Sequence, residues 1–199
     1  MSDKQNVYIY GHSFPARLLR SARQSRQTIS KLLSVELSHN VFVEGHPGLT
    51  YDRIFSSGDH YFKEIKRHSV DLLCIDLGSN DLCGTGGTSS VVVQNTLRFL
   101  ESLESQGVCP RNIVILSVIR RSKIARPGQV SVTTFNHRVK RYNALLKEEL
   151  GKYHPTVKMY RQRKTNRLQY ISEDGCHLTD EGLIKYGKGL REVILSCKK

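Results

Sequence analysis

Three residues, Ser13, Asp174 and His177, could together perform acyl transfer. Ser13 follows a short β-rich segment at a predicted strand-to-helix turn, where its hydroxyl can point into a cleft. Asp174 and His177 stand close together in a predicted tight loop, so the carboxylate can hold one nitrogen of the imidazole. The other nitrogen is then free to accept the serine proton, which turns the hydroxyl into an effective nucleophile.

Two further segments could supply hydrogen-bond donors for a negatively charged intermediate. Asn80 stands in the block Gly78-Ser-Asn-Asp81, and its side-chain amide can donate to a developing oxyanion. Gly48 leaves its backbone N–H open to close approach by a ligand. Taken alone, each of these segments is better explained by a turn or a helix cap. Their joint occurrence favours one catalytic cleft.

Short apolar runs alternate with longer amphipathic runs along the chain. Continuous β-branched runs are typical of strands buried on both faces of a parallel sheet. The predicted strands cover residues 7–10, 41–43, 71–77, 112–119 and 157–160. The predicted helices cover about 16–33, 91–105, 133–150 and 179–196, with Gly151 as a C-cap and Thr179 as an N-cap.

This alternation of strands and helices predicts an α/β fold. Right-handed crossovers would build a three-layer α/β/α sandwich around a five-stranded parallel sheet, and a length of 199 residues favours one domain over 1–199. Ligands of such sheets bind beyond the carboxyl ends of the strands. Ser13, Gly48 and Asn80 each follow a predicted strand, so the topology is expected to bring them to one edge.

Composition excludes several classes of protein. Apolar residues make up 38% of the chain and charged residues 25%, which is a globular balance. The longest mainly apolar stretch, Ile113 to Ile119, is far too short to span a bilayer. Five cysteines without a CxxC pair argue against a disulfide framework or a cysteine zinc site. With no hydrophobic signal region at the N-terminus, we expect an intracellular protein, cytoplasmic or nuclear, and no metal or organic cofactor.

The chain is strongly basic, and much of the charge lies in two short segments. Lys and Arg number 31 against 18 Asp and Glu, a net charge of +13. Acid-free basic segments follow the fourth and fifth predicted strands, and a parallel sheet would place both beside Ser13. We predict that this basic rim attracts anionic substrates or binds a polyanion, either nucleic acid or an anionic membrane surface, the alternative being a merely solvated surface. Its residues are Arg120, Arg121, Lys123, Arg126, Arg161, Arg163, Lys164 and Arg167.

The ensemble of blocks resembles the SGNH, or GDSL-type, hydrolase family over nearly the whole chain. The matching blocks are Gly11-His-Ser13, Gly48, Gly78-Ser-Asn-Asp81 and Asp174-Gly-Cys-His177. The resemblance implies a flavodoxin-like sheet and serine ester hydrolysis. It implies Ser13 as nucleophile, His177 as general base and Asp174 as the residue that orients the imidazole. It also implies an oxyanion hole made by the backbone N–H groups of Ser13 and Gly48 and the amide of Asn80.

The chain departs from the family at one position and leaves three hypotheses open. His12 stands where the family usually has Asp, and it could bond within its loop or act as a second base near Ser13. The first hypothesis is an esterase that hydrolyses small, short-chain esters, acetyl esters above all. The second is a module that binds nucleic acid or anionic lipid, as in SGNH domains of some animal retrotransposons, with vestigial hydrolysis. The third, an inactive structural domain, is disfavoured by the intact set of catalytic residues. The oligomeric state is not predicted.

Overall fold

Five parallel strands form a single sheet. The computed structural model describes residues 4–124 and 128–197. The strands are β1 (Gln5–Gly11), β2 (His39–Gly45), β3 (Leu72–Asp76), β4 (Asn112–Leu116) and β5 (Val157–Tyr160). They lie in the order β2-β1-β3-β4-β5, and every neighbouring pair is parallel. The predicted five-stranded parallel α/β fold is confirmed.

Helices cover both faces of the sheet. They are α1 (Ser13–Gln24), α2 (Ile29–Leu32), α3 (Tyr51–Ser56), α4 (Lys63–Arg67), α5 (Ser89–Ser105), α6 (Val132–Tyr153) and α7 (Asp180–Ser196). One apolar core lies between the sheet and α5 and α6, and the other between the sheet and α1 and α7. Within the described ranges, no helix combines the length and the apolar character needed to cross a membrane.

Two details of the helix prediction are wrong. The helix expected over about 16–33 is two helices, because the chain turns at Arg26, whose φ is +53°, and Thr28 then caps α2. Gly151 is not a C-cap, since α6 continues to Tyr153 and is capped by His154. Pro155 explains this later end, because the residue before a proline is disfavoured in helical conformation. Thr179 caps α7 as predicted, its side chain accepting from the N–H of Gly182.

The register of the first three strands brings their carboxyl ends level. Gly11 lies opposite Gly45 of β2 and opposite Asp76 of β3. The contact is so close that a Cβ at Gly11 would overlap the Asp76 carbonyl oxygen, which leaves room for glycine alone. Beyond this level the chain continues into His12, His46 and Leu77. The three loops that carry the predicted site therefore start from one edge of the sheet.

Candidate active site

The nucleophile candidate Ser13 is the first residue of α1. Its backbone N–H donates to Nδ1 of His12 at 2.8 Å, and its Oγ lies 3.4 Å from the same nitrogen. An acceptor nitrogen carries no proton, so the His12 ring holds its proton on Nε2. That nitrogen faces Oδ1 of Asp76 at 3.4 Å. His12 thus bonds within its own loop, as expected of one of its two predicted roles.

A buried chain of polar groups continues behind His12. Tyr186 of α7 donates its hydroxyl to Oδ2 of Asp76 at 2.8 Å. His12 and Asp76 are 3% and 1% exposed, so this chain lies inside the protein. Burial first, and then the Asp76 carboxylate, raise the pKa of Tyr186 well above its usual value. The hydroxyl therefore remains a donor to Asp76, and the turn that carries Ser13 is fixed through α7.

The base candidate His177 lies in a more exposed loop. Its Nδ1 is 2.6 Å from Oδ2 of Asp174. The other oxygen, Oδ1, accepts from the backbone N–H groups of His177 and Cys176 at 2.8 and 2.9 Å, and from the Ser172 hydroxyl at 2.8 Å. Desolvation alone would raise the pKa of Asp174, but these hydrogen bonds outweigh it and lower that pKa well below its usual value. The carboxylate therefore stays ionised and holds the imidazole in one orientation.

The loop that carries Asp174 and His177 packs against the segment that follows β4. The carbonyl of Gly175 accepts from the backbone N–H of Ser122 at 2.9 Å. Gly175 has a φ of +75°, and a Cβ there would overlap the backbone of Lys123. Glycine is needed both for this conformation and for the close approach. The position of His177 thus depends on residues 122–123 as well as on its own loop.

The amide of Asn80 joins two of the strand-end loops. Its Nδ2 donates to the Leu49 carbonyl at 3.0 Å, which places the amide beside Gly48. Gly48 has a φ of +76°, and its N–H donates to no acceptor among the described residues. The second N–H of Nδ2 and the N–H of Gly48 are therefore candidates for binding an oxyanion. The N–H of Ser13, the third predicted donor, is already bonded to His12.

Asp81, directly after Asn80, is a partly buried carboxylate whose two oxygens differ in their bonding. Its Oδ1 accepts from the Tyr51 backbone N–H at 2.9 Å, whereas its Oδ2 is buried without a partner in the described part of the chain. Desolvation raises the pKa of Asp81 from 3.8 to about 6, although the bond from Tyr51 works in the opposite direction. The bond from Tyr51 ties the loop between β2 and α3 to the segment at Asn80. Ionisation of Asp81 lowers the free energy of unfolding, because a desolvated charge without a full set of partners is unfavourable.

The basic rim holds fewer cations than the sequence predicts. Arg121 is 7% exposed and lies inside the site: it donates to Ser79 Oγ at 2.9 Å and to Asn80 Oδ1 at 3.3 Å. The sequence places Arg121 on the polyanion-binding surface, and its burial contradicts this prediction. Arg126 lies outside the described residues. The exposed members are Arg120, Lys123, Arg161, Arg163, Lys164 and Arg167, and Lys164 pairs with Glu192.

The parallel sheet thus collects most of the predicted site at one edge. Ser13, Gly48 and Asn80 extend from neighbouring strands, and Asp174 holds His177. No hydrogen bond joins Ser13 to His177 among the described residues. Sequence reasoning missed Arg121 as part of this site, and it missed Asp76, whose signal was a carboxylate at the end of an otherwise apolar strand. No group of three or more metal-binding side chains occurs in the described ranges.

Comparisons with known proteins bear on the fold and on the class of protein. The GDSL-like lipase/acylhydrolase family pattern matches residues 9–183 of the chain. The search of curated proteins found no match to the chain.

Among solved structures, the chain is similar to a GDSL-like lipase from Bacteroides thetaiotaomicron, with a TM-score of 0.72 and 14% identity over 96% of this chain and 88% of that one. It is also similar to a carbohydrate acetylesterase family member from Sinorhizobium meliloti, with a TM-score of 0.69 and 18% identity over 96% and 98%. A lipase/acylhydrolase from Enterococcus faecalis gives a TM-score of 0.66 and 16% identity over 96% of each chain. At these identities the structures show a shared fold, and the family pattern shows the class. The chain belongs to the GDSL-like lipase/acylhydrolase family and is a carboxylic ester hydrolase.

Proposed function

We propose that the chain hydrolyses short acyl esters, acetyl esters first, through Ser13, His177 and Asp174. The observation that carries the proposal is the 2.6 Å bond between Asp174 and His177 Nδ1, which leaves Nε2 of the imidazole as the basic nitrogen. In the first step Ser13 Oγ attacks the ester carbonyl carbon and its proton passes to His177 Nε2. The tetrahedral intermediate then expels the alcohol, which takes that proton. Water hydrolyses the acyl-serine by the same route.

The negative charge of each intermediate needs donors placed in advance. We assign this role to the N–H of Gly48 and to Nδ2 of Asn80, since both have hydrogen-bonding capacity left in the described structure. The N–H of Ser13 joins them only when its bond to His12 opens. Each such donor is typically worth a factor of about 10²–10³ in kcat.

An ester panel tests both the chemistry and the acyl preference. Short acyl groups are supported by the similarity to the protein described as a carbohydrate acetylesterase. We expect a 4-nitrophenyl series from acetyl to octanoyl to show kcat/KM falling with chain length, and Ser13→Ala to abolish turnover throughout. Equal activity of wild type and Ser13→Ala would disprove the mechanism. A maximum at octanoyl would retain the mechanism and refute the acetyl preference.

A second function, polyanion binding, is favoured by the exposed cations of the basic rim. Arg120, Arg161 and Arg163 are exposed in the loops that follow β4 and β5, at the edge that carries the site. We propose that they bind the phosphate backbone of nucleic acid without reading sequence, with weak affinity. Each phosphate contact contributes roughly one unit to the slope of log affinity against log salt. The predicted intracellular location and the retrotransposon resemblance stay predictions.

A matched pair of variants tests this binding. Changing Arg120, Arg161 and Arg163 to Ser removes three charges from the rim, and changing Arg20, Arg23 and Lys31 removes three exposed charges from α1 and α2. We expect only the rim variant to flatten the salt dependence of binding to a single-stranded oligonucleotide, with hydrolysis of a neutral acetyl ester unchanged. Equal effects of the two variants would mean that net charge alone attracts the polyanion.

A further inference from the structure

The guanidinium of Arg121 lies directly behind the candidate oxyanion hole. It donates through Nη2 to Ser79 Oγ at 2.9 Å and to Asn80 Oδ1 at 3.3 Å, and through Nη1 to Cys83 Sγ at 2.7 Å. It stacks over the Phe135 ring, 4.8 Å from the ring centre. Every one of these contacts is to the 79–83 loop or to α6, so the side chain belongs to the site and not to the rim.

The backbone at Arg121 is fixed as tightly as its side chain. Asn136 of α6 accepts from the Arg121 N–H at 3.0 Å and donates to the Arg121 carbonyl at 2.9 Å. Two helical turns later, Asn143 binds Val118 in the same two-point manner, at 3.0 and 2.8 Å. The segment after β4 is therefore held at two positions by one face of α6. Arg121 projects from a backbone that is held before any substrate arrives.

The charge of Arg121 has no carboxylate partner within 4 Å in the part of the chain that the structure describes. A buried cation without an ionic partner is costly, so stability alone explains this placement poorly. The neutral acceptors around it satisfy hydrogen bonds but do not cancel the charge. An unneutralised positive charge is thus left beside Asn80, where an anion is expected to form during hydrolysis.

A guanidinium has only donors, and this decides which way the Asn80 amide points. An amide oxygen can accept from Arg121, whereas an amide NH₂ in its place would face another donor. With Oδ1 held by Arg121, Nδ2 must face the Leu49 carbonyl and the cleft. A charged donor on Oδ1 also polarises the amide, which strengthens its N–H groups as donors.

We propose that Arg121 is a positioning residue that fixes and polarises the Asn80 amide as an oxyanion donor. The proposal rests on the proposed esterase function and deepens it. Arg121 does not touch the substrate; it acts through Asn80. The same contacts make Arg121 unavailable for the polyanion binding that the sequence predicts for it.

Kinetics of single and double variants test the proposal. Asn80→Ala should lower kcat by about 10²–10³ with KM within a fewfold. Arg121→Met should lower kcat by about 10–100-fold, again with little change in KM, because a misoriented amide loses part of its effect. In the Asn80→Ala background, Arg121→Met should cost less than about threefold, as expected of residues that act as a unit. Equal losses in both backgrounds would overturn the proposal.

Arg138 provides a matched control from the same region. It donates to the carbonyls of Leu82 and Gly84 at 3.2 and 2.6 Å, so it braces the loop without touching Asn80. Arg138→Met should lower Tm but leave kcat within about threefold, whereas Arg121→Met lowers kcat in the folded enzyme. If Arg121→Met does not fold, Arg121→Lys replaces it: one ammonium keeps the charge but cannot reproduce the fork. A kcat loss for Arg138→Met equal to that for Arg121→Met would reduce Arg121 to a structural brace.

A measurement without turnover separates this proposal from the esterase assignment. The side-chain amide protons of Asn80, identified by NMR through their loss in Asn80→Ala, should shift in Arg121→Met and stay in place in Arg138→Met. Unchanged Asn80 signals in Arg121→Met would refute the positioning role, whatever the activity. Absence of Ser13-dependent turnover in the wild type, with shifted signals, would instead refute the esterase function and retain the contact.

Discussion

The turn that carries Ser13 and the loop that carries His177 are fixed in different ways. The Ser13 turn is held by buried side chains from distant parts of the chain, through His12, Asp76 and Tyr186. The His177 loop is held by local bonds, mostly from its own backbone to Asp174, whose side chain is 46% exposed. The first region draws on the core of the protein, whereas the second depends on its own bonds and on the neighbouring residues 122–123.

The two regions should therefore respond differently to mutation, the first mainly in stability and the second mainly in catalytic rate. Changes behind Ser13 disturb a buried network and should act on folding, whereas changes beside His177 should act on the rate. Ser13 and His177 share no hydrogen bond in the described structure, and catalytic hydrogen bonds are often long or absent until substrate binds. We therefore expect the substrate complex to complete the link between Ser13 and His177.

The largest loss of rate should come from removing the nucleophile candidate or the base candidate. Ser13→Ala and His177→Ala should each lower kcat by about 10⁴-fold or more, and the double variant should lose little beyond either one. His137→Ala, a change of an exposed histidine on α6, serves as the control and should leave kcat unchanged. Additive losses in the double variant, measured by initial rates on an acetyl ester, would show that the two residues act independently.

A smaller loss of rate should follow from changing the partner of His177. Asp174→Asn keeps the shape of the loop but replaces the ionised carboxylate that holds Nδ1, so kcat should fall by up to about 10⁴-fold. Tm should fall only modestly, because the amide oxygen of Asn can still accept the backbone bonds and the side chain is 46% exposed. Glu173→Gln, the neighbouring exposed acid, is the matched control. A large drop in Tm with normal kcat would reverse the contrast between the two regions.

The Ser13 turn should show the opposite response. Tyr186→Phe removes the donor to Asp76 and leaves a buried carboxylate oxygen unsatisfied, which should lower the free energy of unfolding by about 1–3 kcal/mol. The kcat of the folded protein should stay within a fewfold. Tyr153→Phe, at a 67% exposed tyrosine, controls for the loss of a hydroxyl. Urea unfolding followed by circular dichroism measures the difference; identical midpoints for the two variants would contradict the structural role of the Asp76 network.

A pH-dependent effect on stability, similar in size to that of Tyr186→Phe, concerns Asp81 in the segment after β3. Burial raises the pKa of Asp81 from 3.8, the value expected in the unfolded chain, to about 6 in the folded protein. Between these two pH values the folded state holds a proton that the unfolded state has lost. The free energy of unfolding should therefore fall as pH rises from about 4 to 6 and level off above that range, with a total of roughly 3 kcal/mol.

Asp81→Asn should remove this slope and raise the free energy of unfolding at pH 8, because no buried charge then forms. Asp52→Asn, a change of an exposed acid on α3, should leave most of the slope in place. Denaturant unfolding at several pH values checks both variants. A slope that persists in Asp81→Asn would mean that another group titrates in this range.

Much of the fold and of the candidate site follows from local sequence. Apolar runs closed by glycine predict the strands, and the parallel topology then places Ser13, Gly48 and Asn80 at one edge. Asp174 and His177 need only a tight loop, so their spacing alone predicts their contact.

What the sequence does not reveal depends on contacts between distant residues. The charge of Arg121 suggests a surface, but its burial follows from α6, where Asn136 holds its backbone. The role of His12 depends on Asp76 and Tyr186, the latter far along the chain. The turn at Arg26 is hidden for another reason, since the apolar pattern continues through it and only the backbone departs from the helix.

The bond between Tyr186 and Asp76 has a consequence for when this protein becomes active during its synthesis. About 160 residues separate Ser13 from His177, which takes roughly 10–30 s at ribosomal rates of about 5–20 residues per second. β1, β2 and β3 precede both β4 and β5, so the strands that lead to the Ser13 turn can pair early, before Tyr186 fixes that turn. Docking of α7 then brings Tyr186 to the core, and we expect it to bring His177 to the proposed site in the same event. Esterase activity of a nascent chain should accordingly appear abruptly and late, as a marker that α7 has docked.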